Sequence, residues 1–170
     1  QYVRSRDLEK VKPAFEDLLV RLQTDYIDLG MIHFIDTAEE FDRVMNGEFI
    51  EYVRQLKKEG KIRHIGMSSH NPSIAKMAAC HGEIEMLLFS INPAFDLLPP
   101  VTDLEQYFTG QYDESLSGIA PEREELYKIC EQNRVGITVM KGYAGGRLFQ
   151  EQTSPFGVAL TPVQCIHYAL

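Results

Sequence analysis

Apolar and polar residues alternate along this chain with a period that switches between that of a helix and that of a strand. In the first block, apolar positions recur at steps of three and four residues, which predicts a helix over about 7–23 with one face toward a core. These positions are Leu8, Val11, Phe15, Leu18, Leu19 and Leu22. Ser5 or Asp7 is placed to cap this helix, and Pro13 leaves open a start nearer to itself because proline lacks a backbone N–H.

Four apolar runs follow, and a helical pattern comes after each one. The strands are predicted at 26–34, 62–67, 84–91 and 135–140. The helices are predicted at 48–59, 71–82, 121–133 and 162–170, with Asn71 and Thr161 as caps. Parallel strands joined by helices form a sheet that the helices cover, so we expect the near-continuous apolar run 26–34 to be buried on both faces.

The connection 92–120 is polar, contains prolines and is longer than a structural loop needs to be. Loops of this kind are functional lids or partly disordered segments, and we expect one of these here. Asn92, at its start, is explained equally by a position in the mouth of the sheet and by a turn with Pro93.

The chain has 170 residues, fewer than the about 250 of a closed eight-stranded barrel. Two interpretations fit this length: an open sheet, or about half of a barrel with both ends missing. The lack of an initiator Met and a helical pattern that still runs at Leu170 favour the second. We therefore predict an α/β fold, a partial TIM (β/α)8 barrel of about four βα units, in a single domain over 1–170 that is truncated at both ends.

Composition narrows the classes of function. Hydrophobic residues make up 44% of the chain and charged residues 25%, which is typical of a globular protein. The net charge is −8 and basic residues do not cluster with aromatic ones, so we expect no nucleic-acid partner. No run approaches the about 18 apolar residues that span a bilayer, so we expect no membrane partner either.

The cysteines indicate a cellular compartment rather than a metal-binding site. Cys80, Cys130 and Cys165 lie far apart in helical patterns, without the spacing of metal ligands. We interpret them as buried free thiols in a reducing cytosol, and we predict a cytoplasmic protein without a metal site.

His33 is the main candidate for chemistry. It lies at the carboxyl end of the apolar run 26–34, and in barrels of βα units the active site gathers at these strand ends. An imidazole titrates near neutral pH and is therefore suited to proton chemistry. Position alone leaves open the alternative of a partly buried histidine with a packing role.

Three blocks, in order along the chain, resemble the aldo-keto reductase family. The blocks are LVRLQTDYIDL at 19–29 followed by His33, GKIRHIGMSSHN at 60–71, and VMKGYAGGRL at 139–148. In that family the first block precedes the catalytic histidine, the second contains a cofactor segment and the third wraps the dinucleotide. The run FSINPAFD at 89–96 is similar to a bacterial and archaeal subgroup whose members often carry a C-terminal ferredoxin-like segment.

The resemblance implies strands four to seven of the family's barrel. It also implies an oxidoreductase that reduces a small-molecule carbonyl substrate with NADPH, or runs the reverse alcohol oxidation. His33 is then the catalytic histidine that orients the carbonyl, and Ser68 and Ser69 hold the nicotinamide carboxamide. Tyr143, Gly145 and Arg147 line the cofactor groove. Any iron–sulfur cluster belongs to a C-terminal segment outside this chain, because three scattered cysteines cannot make a four-thiolate site.

The chain also departs from the family's pattern. Ser69 stands where the family has asparagine, and Leu88 stands where it has glutamine. The family's stacking tyrosine aligns with Tyr143 or, one residue earlier, with Gly142. These departures keep open a second class of function, a non-catalytic barrel relative that binds a ligand or a protein.

The family's catalytic tyrosine, aspartate and lysine come from strands that precede this chain. We therefore expect the isolated 170-residue chain to be inactive as an enzyme. Unpaired sheet edges and an open apolar face also predict that the isolated chain self-associates, pairs with a missing half or is prone to aggregation.

Overall fold

The computed structural model describes residues 5–98 and 117–170. They form a sheet whose strands alternate with helices, as the pattern predicts. The strands are β1 (Ile27–Ile32), β2 (Ile62–Ser69), β3 (Met86–Ser90) and β4 (Gly136–Met140). The helices are α1 (Leu8–Leu22), α2 (Ala38–Met45), α3 (Glu48–Lys58), α4 (Pro72–Cys80), α5 (Pro121–Asn133) and α6 (Pro162–Ala169). Short 3₁₀ helices cover Phe95–Leu97 and Ala144–Phe149.

The four strands pair in sequence order, β1-β2-β3-β4, and every pairing is parallel. Four βα units in this order confirm the predicted α/β fold. Because the strands run in one direction, their carboxyl ends lie along one side of the sheet. The segments that follow Ile32, Ser69, Ser90 and Met140 therefore meet there, and we call this side the carboxyl edge.

One face of the sheet packs against the helices and forms the main core. Its strand residues alternate with those of the other face, and the members Ile32, Ile65, Met67, Leu87 and Phe89 are at most 2% exposed. Burying side chains of this size contributes roughly 1.5–3 kcal/mol each, so this layer is the main source of stability.

The other face of the sheet is closely packed at Gly66. A Cβ added there would come within 2.6 Å of the Met86 methyl carbon and 3.3 Å of the Met31 methyl carbon. Glycine therefore allows methionines from the two neighbouring strands to fill this position.

Helix α1 begins after Asp7, whose carboxylate accepts the backbone N–H of Glu9 at 3.1 Å. Asp7 is thus the cap among the two predicted candidates. The helix runs through Pro13, so the start near Pro13 that the sequence left open is wrong. Pro13 is exposed, and the carbonyl that loses its N–H partner can be hydrated on that side.

Helix α2 was not predicted from the sequence. The Thr37 hydroxyl caps it by accepting the backbone N–H of Glu40 at 3.2 Å, and Phe41, Val44 and Met45 are buried. Both signals are present in the sequence, but a helix of eight residues is shorter than the window over which a helical period is recognised.

Two predictions of burial are wrong. Asp28 and Leu29 of β1 are exposed, and among the described residues this outer strand pairs with β2 alone. Cys80 is exposed at the last residue of α4, whereas Cys130 and Cys165 are buried as expected. The predicted lid lies largely at 99–116, outside the described residues. Within the described ranges no helix is long and apolar enough to cross a membrane.

A buried carboxylate, Asp96, ties the segment after β3 to two helices. Arg123 Nη1 donates to Asp96 Oδ1 at 2.8 Å and to the Ser90 carbonyl at 2.9 Å. The hydroxyls of Tyr127 and Tyr168 donate to Asp96 Oδ1 and Oδ2 at 2.8 and 2.9 Å. Burial raises the pKa of both phenols and the carboxylate raises it further, so both stay protonated as donors. Asp96 and Arg123 are 1% and 0% exposed, so the cation depends on its counterion.

Replacing Asp96 with asparagine should destabilise the protein strongly, because the Arg123 cation is left buried beside a neutral amide. We expect the free energy of unfolding to fall by about 3–5 kcal/mol. The control Tyr168→Phe removes one hydrogen bond to the same carboxylate and should cost about 1–2 kcal/mol. Urea denaturation measures both changes. An Asp96→Asn protein as stable as its parent would show that this ion pair does not hold the fold.

The opposite, amino edge of the sheet carries charge pairs near the surface. Glu85 receives the Lys57 ammonium and the backbone N–H of Ile65 at 3.1 Å, and it lies 2.8 Å from His64 Nδ1. Burial alone would raise the pKa of Glu85, but these partners lower it to about 2. The ionised carboxylate therefore stabilises the folded state.

Lowering the pH should remove the stabilisation that the ionised Glu85 carboxylate provides, and it should do so over a defined pH range. Because the pKa is lowered on folding, the stabilisation is complete above the ordinary value of 4.5 and is lost as the pH falls toward about 2. We expect the difference in unfolding free energy between the parent and Glu85→Gln to narrow as the pH falls from about 5 to 3. Glu131→Gln, which removes an exposed carboxylate from α5, controls for the loss of one charge. A difference that stays constant over this range would contradict the assignment.

Candidate active site

The carboxyl edge brings together His33 and the first predicted serine. The last register pair of β1 with β2 is Ile32 with Met67, so His33 follows at the level of Ser68. His33 is half-buried. It borders an open pocket that is also lined by Ser5, Arg6, Phe34 and Glu40.

The backbone directly after His33 turns sharply and is held from two sides. Phe34 has a φ of 61°, in the left-handed region that costs a non-glycine residue roughly 1–2 kcal/mol. The Ser68 hydroxyl accepts the Phe34 N–H at 2.6 Å, and the Ile35 N–H donates to the Ser68 carbonyl at 2.9 Å. The Arg6 guanidinium donates to the carbonyls of His33 and Phe34 at 2.6 and 3.2 Å. Contacts from β2 and from the segment before α1 therefore fix where His33 lies.

Asp36 joins this site, although the sequence patterns did not identify it. Its carboxylate accepts the Ser69 hydroxyl at 3.0 Å and the backbone N–H of His70 at 2.7 Å, and it lies 3.0 Å from His70 Nδ1. Burial alone would raise the pKa of Asp36, but the hydrogen bonds and charge of His70, with the bond from Ser69, hold it below its ordinary value. The two residues are 34 positions apart, so only the pairing of β1 with β2 reveals the contact.

The two serines differ in what their hydroxyl groups can still do. Ser69 is fully buried, and its hydroxyl lies within hydrogen-bond distance of Asp36 and of both the carbonyl and the N–H of Asn71. Ser68 is 1% exposed and accepts from Phe34, and its own proton has no acceptor within 5–98 and 117–170. The Ser68 hydroxyl proton is therefore not committed to another of the described residues, whereas the Ser69 hydroxyl must give up a bond before it contacts a ligand.

Asn92 ties the end of β3 to the end of β4. It is fully buried, and its Oδ1 accepts the N–H groups of Ala94 and Phe95 at 3.0 and 2.8 Å, as in a turn. Its Nδ2 donates to the Lys141 carbonyl at 3.0 Å. These hydrogen bonds support the turn, one of the two explanations of Asn92 that the sequence left open.

The segment after β4 combines an open backbone with a half-buried arginine. Gly145 and Gly146 have φ values of 67° and 89°, and no atom lies within 4 Å of a Cβ placed on Gly146. A ligand can therefore approach this backbone closely. Arg147 Nη1 is buried and has no hydrogen-bond partner in the described part of the chain. A buried guanidinium N–H that lacks a hydrogen-bond partner favours binding of an anionic acceptor.

Tyr143 supplies an aromatic surface beside this segment. Its ring is 39% exposed and packs against Phe149 with the ring centroids 5.1 Å apart. Gly142 has no side chain to stack, so Tyr143 is the residue of the two alignments that presents a ring.

The predicted site residues thus form two groups. His33, Ser68 and Ser69 lie at the ends of β1 and β2, and Tyr143, Gly145 and Arg147 follow β4. Strand β3 lies between them, which separates β2 from β4 by about 10 Å at the usual strand spacing. One ligand can contact both groups only if it is elongated. No group of three or more His, Cys, Asp or Glu side chains in the described residues could hold a metal ion.

Relatives of known sequence share these segments. The chain matches the Aldo/keto reductase family over residues 4–161. It is 41% identical over 89 residues to the uncharacterized oxidoreductase YqkF of Bacillus subtilis (strain 168), covering 52% of this chain and 27% of that protein. It is 33% identical over 82 residues to methylglyoxal reductase DkgB of Escherichia coli O157:H7, covering 48% of this chain and 30% of that protein.

Solved structures share the fold. The holo form of aldo-keto reductase AKR11C1 from Bacillus halodurans superposes with a TM-score of 0.57 at 27% identity, over 86% of this chain and 39% of that one. An aldo/keto reductase from Klebsiella pneumoniae, in complex with NADP and acetate, has a TM-score of 0.51 at 19% identity, over 80% and 38%. The chain spans less than two-fifths of each of these four proteins. With a match over residues 4–161, it belongs to the aldo/keto reductase family.

Proposed function

We propose that this chain holds the catalytic histidine and the cofactor segment of an NAD(P)H-dependent oxidoreductase. The full-length protein reduces a small carbonyl compound or oxidises the corresponding alcohol. The position of His33, Ser68 and the segment 141–147 at one edge of a parallel sheet carries this proposal. Family membership supports the class of reaction, and the name of one relative, methylglyoxal reductase, supports a small carbonyl as substrate.

The described residues fit a dinucleotide cofactor at four points, and the NADP in one solved relative leads us to propose NADPH. Arg147 Nη1 needs an acceptor, and a phosphate oxygen is the strongest that such a ligand offers. The glycine pair lets a diphosphate approach the backbone, and the exposed ring of Tyr143 offers a surface for a flat heterocycle. Ser68 has a proton left to donate to a carboxamide oxygen, and Ser69 joins it by exchanging one of its present bonds.

His33 acts on the substrate in this proposal. When bound, the reduced nicotinamide supplies the hydride that the carbonyl carbon accepts. The imidazole N–H of His33 donates to the carbonyl oxygen and stabilises the negative charge that develops there. The resemblance assigns the proton donor, a tyrosine with its aspartate and lysine partners, to strands outside this chain. The Ser68 and Arg6 contacts on either side keep His33 from moving as the charge develops.

A second candidate is a non-catalytic barrel relative that binds a ligand or a protein. Two observations favour it: the Ser69 hydroxyl is already engaged, and the apolar Leu88 stands where the family has glutamine. Such a protein would keep the fold and lack turnover. Kinetics of the full-length protein separate the two.

We further propose that the isolated chain is inactive and self-associates, and that the full-length protein is cytoplasmic. The inactivity of the isolated chain follows from the family resemblance, which assigns the other catalytic groups to strands outside this chain. Self-association follows from the outer strands β1 and β4, whose outer edges pair with no other strand among the described residues and can therefore pair with another chain.

Replacing His33 with glutamine in the full-length protein should lower kcat about 100-fold, because the group acts on charge that exists only in the transition state. The Kd for NADPH should change less than about threefold, since His33 does not hold the cofactor. NADPH oxidation with a panel of aldehydes and ketones measures kcat, and fluorescence titration measures Kd.

His64→Gln is the matched control, because this histidine pairs with Glu85 at the amino edge and should leave kcat unchanged. Parental kcat in His33→Gln would give His33 a structural role. A parent protein that binds NADPH or another ligand without turning over any carbonyl would favour the non-catalytic relative.

A further inference from the structure

Asp36 and His70 form a buried pair to which the proposed reaction assigns no role. Their side chains are 17% and 11% exposed, and His70 Nδ1 lies 3.0 Å from Asp36 Oδ2. Taking a carboxylate and an imidazole out of water costs desolvation free energy. The other contacts of the pair must offset this cost. These contacts join Asp36 to the end of β2 and the His70 ring to Phe34, the residue that follows His33.

The pair joins the segment after β1 to the segment after β2. The Asp36 carboxylate accepts from the Ser69 hydroxyl and from the His70 backbone N–H, and its carbonyl accepts Asn71 Nδ2 at 3.2 Å. Two further hydrogen bonds join Ser68 to residues 34 and 35. Each residue from 34 to 36 is therefore hydrogen-bonded to the end of β2. Bonds of this kind inside a low-dielectric region strengthen one another and hold one geometry.

A row of three rings leads from His70 to His33. The His70 and Phe34 rings meet in an edge-on arrangement, with the centroids 5.3 Å apart and an interplanar angle of 62°. The Phe34 ring lies 6.0 Å from the His33 ring. Phe34 also has the left-handed backbone, a conformation that persists only where the surroundings over-determine it. A change at His70 therefore reaches His33 through Phe34.

We propose that Asp36 and His70 are positioning residues for His33. The imidazole, within hydrogen-bond distance of Asp36, holds the Phe34 ring, and Asp36 holds the backbone that follows, so that His33 stays aimed at the substrate. Neither residue touches the reacting atoms. The proposal rests on the proposed function, since it assigns a task to the pair only if His33 is used in the reaction.

The test is a double-mutant cycle in the full-length protein. His70→Ala should lower kcat about tenfold, because small misplacement of a catalytic group is costly, and should change the Kd for NADPH less than about twofold. In a His33→Gln background the same change should alter the residual kcat less than about twofold, because there is no longer an imidazole to position. A residue that matters only for folding would lower activity by the same factor in both backgrounds.

Two further variants allow the proposal to be tested even if His70→Ala is poorly folded. His70→Asn keeps an N–H near the position of Nδ1 for Asp36 and should recover part of the lost kcat. His81→Ala is the matched control, since His81 also lies beside a carboxylate (Glu83, 3.7 Å) and an aromatic edge (Phe41, 5.9 Å), but at the amino edge. We expect His81→Ala to keep the parental kcat.

The outcomes are distinct. Equal losses in both backgrounds, or no loss in His70→Ala, would overturn the positioning role while leaving the proposed function intact. Parental kcat in His33→Gln alone would remove the role of His33 and the positioning role with it.

Discussion

Parallel pairing of the four strands is the constraint on which the rest of this structure depends. It places every carboxyl end on one side, so that residues far apart in the sequence become neighbours. Asn92 and Lys141 are 49 positions apart, and Asp36 and His70 are 34 apart, yet each pair is joined by a hydrogen bond. An antiparallel neighbour would have sent its loop to the other side and left these polar groups without partners.

The two edges of the sheet use polar residues in different ways. At the carboxyl edge Ser68, Ser69 and Asn92 are at most 1% exposed, and each bridges two strand ends. Such a framework is rigid, which is what a site with a fixed catalytic group requires. At the amino edge the side chains of His64 and Glu85 are 53% and 36% exposed, so solvent weakens what this pair adds to stability. Changes at the amino edge should affect stability alone and by a modest amount, whereas changes at the carboxyl edge should also affect the reaction.

Sequence patterns predicted what depends on local physics. Asp7, Asn71 and Thr161 cap helices as expected, and the apolar runs become the four strands in order. The patterns placed His33 at a strand end because strand periodicity is local. They could not show the bond between Asp36 and His70, because it depends on strand register. They could not show that the Ser69 hydroxyl is engaged, because serine as a helix cap and serine as a ligand contact look alike in sequence.

We propose that the carboxyl edge binds a dinucleotide between His33 and the segment after β4. A crystal structure of the full-length protein with NADP⁺ tests this proposal. We expect the nicotinamide near His33 and Ser68, and a phosphate oxygen within hydrogen-bond distance of Arg147 Nη1, where the buried nitrogen now lacks a partner within the described residues. A dinucleotide bound elsewhere, with Arg147 still without an anionic acceptor and Tyr143 away from any cofactor ring, would show that the carboxyl edge is not the cofactor site.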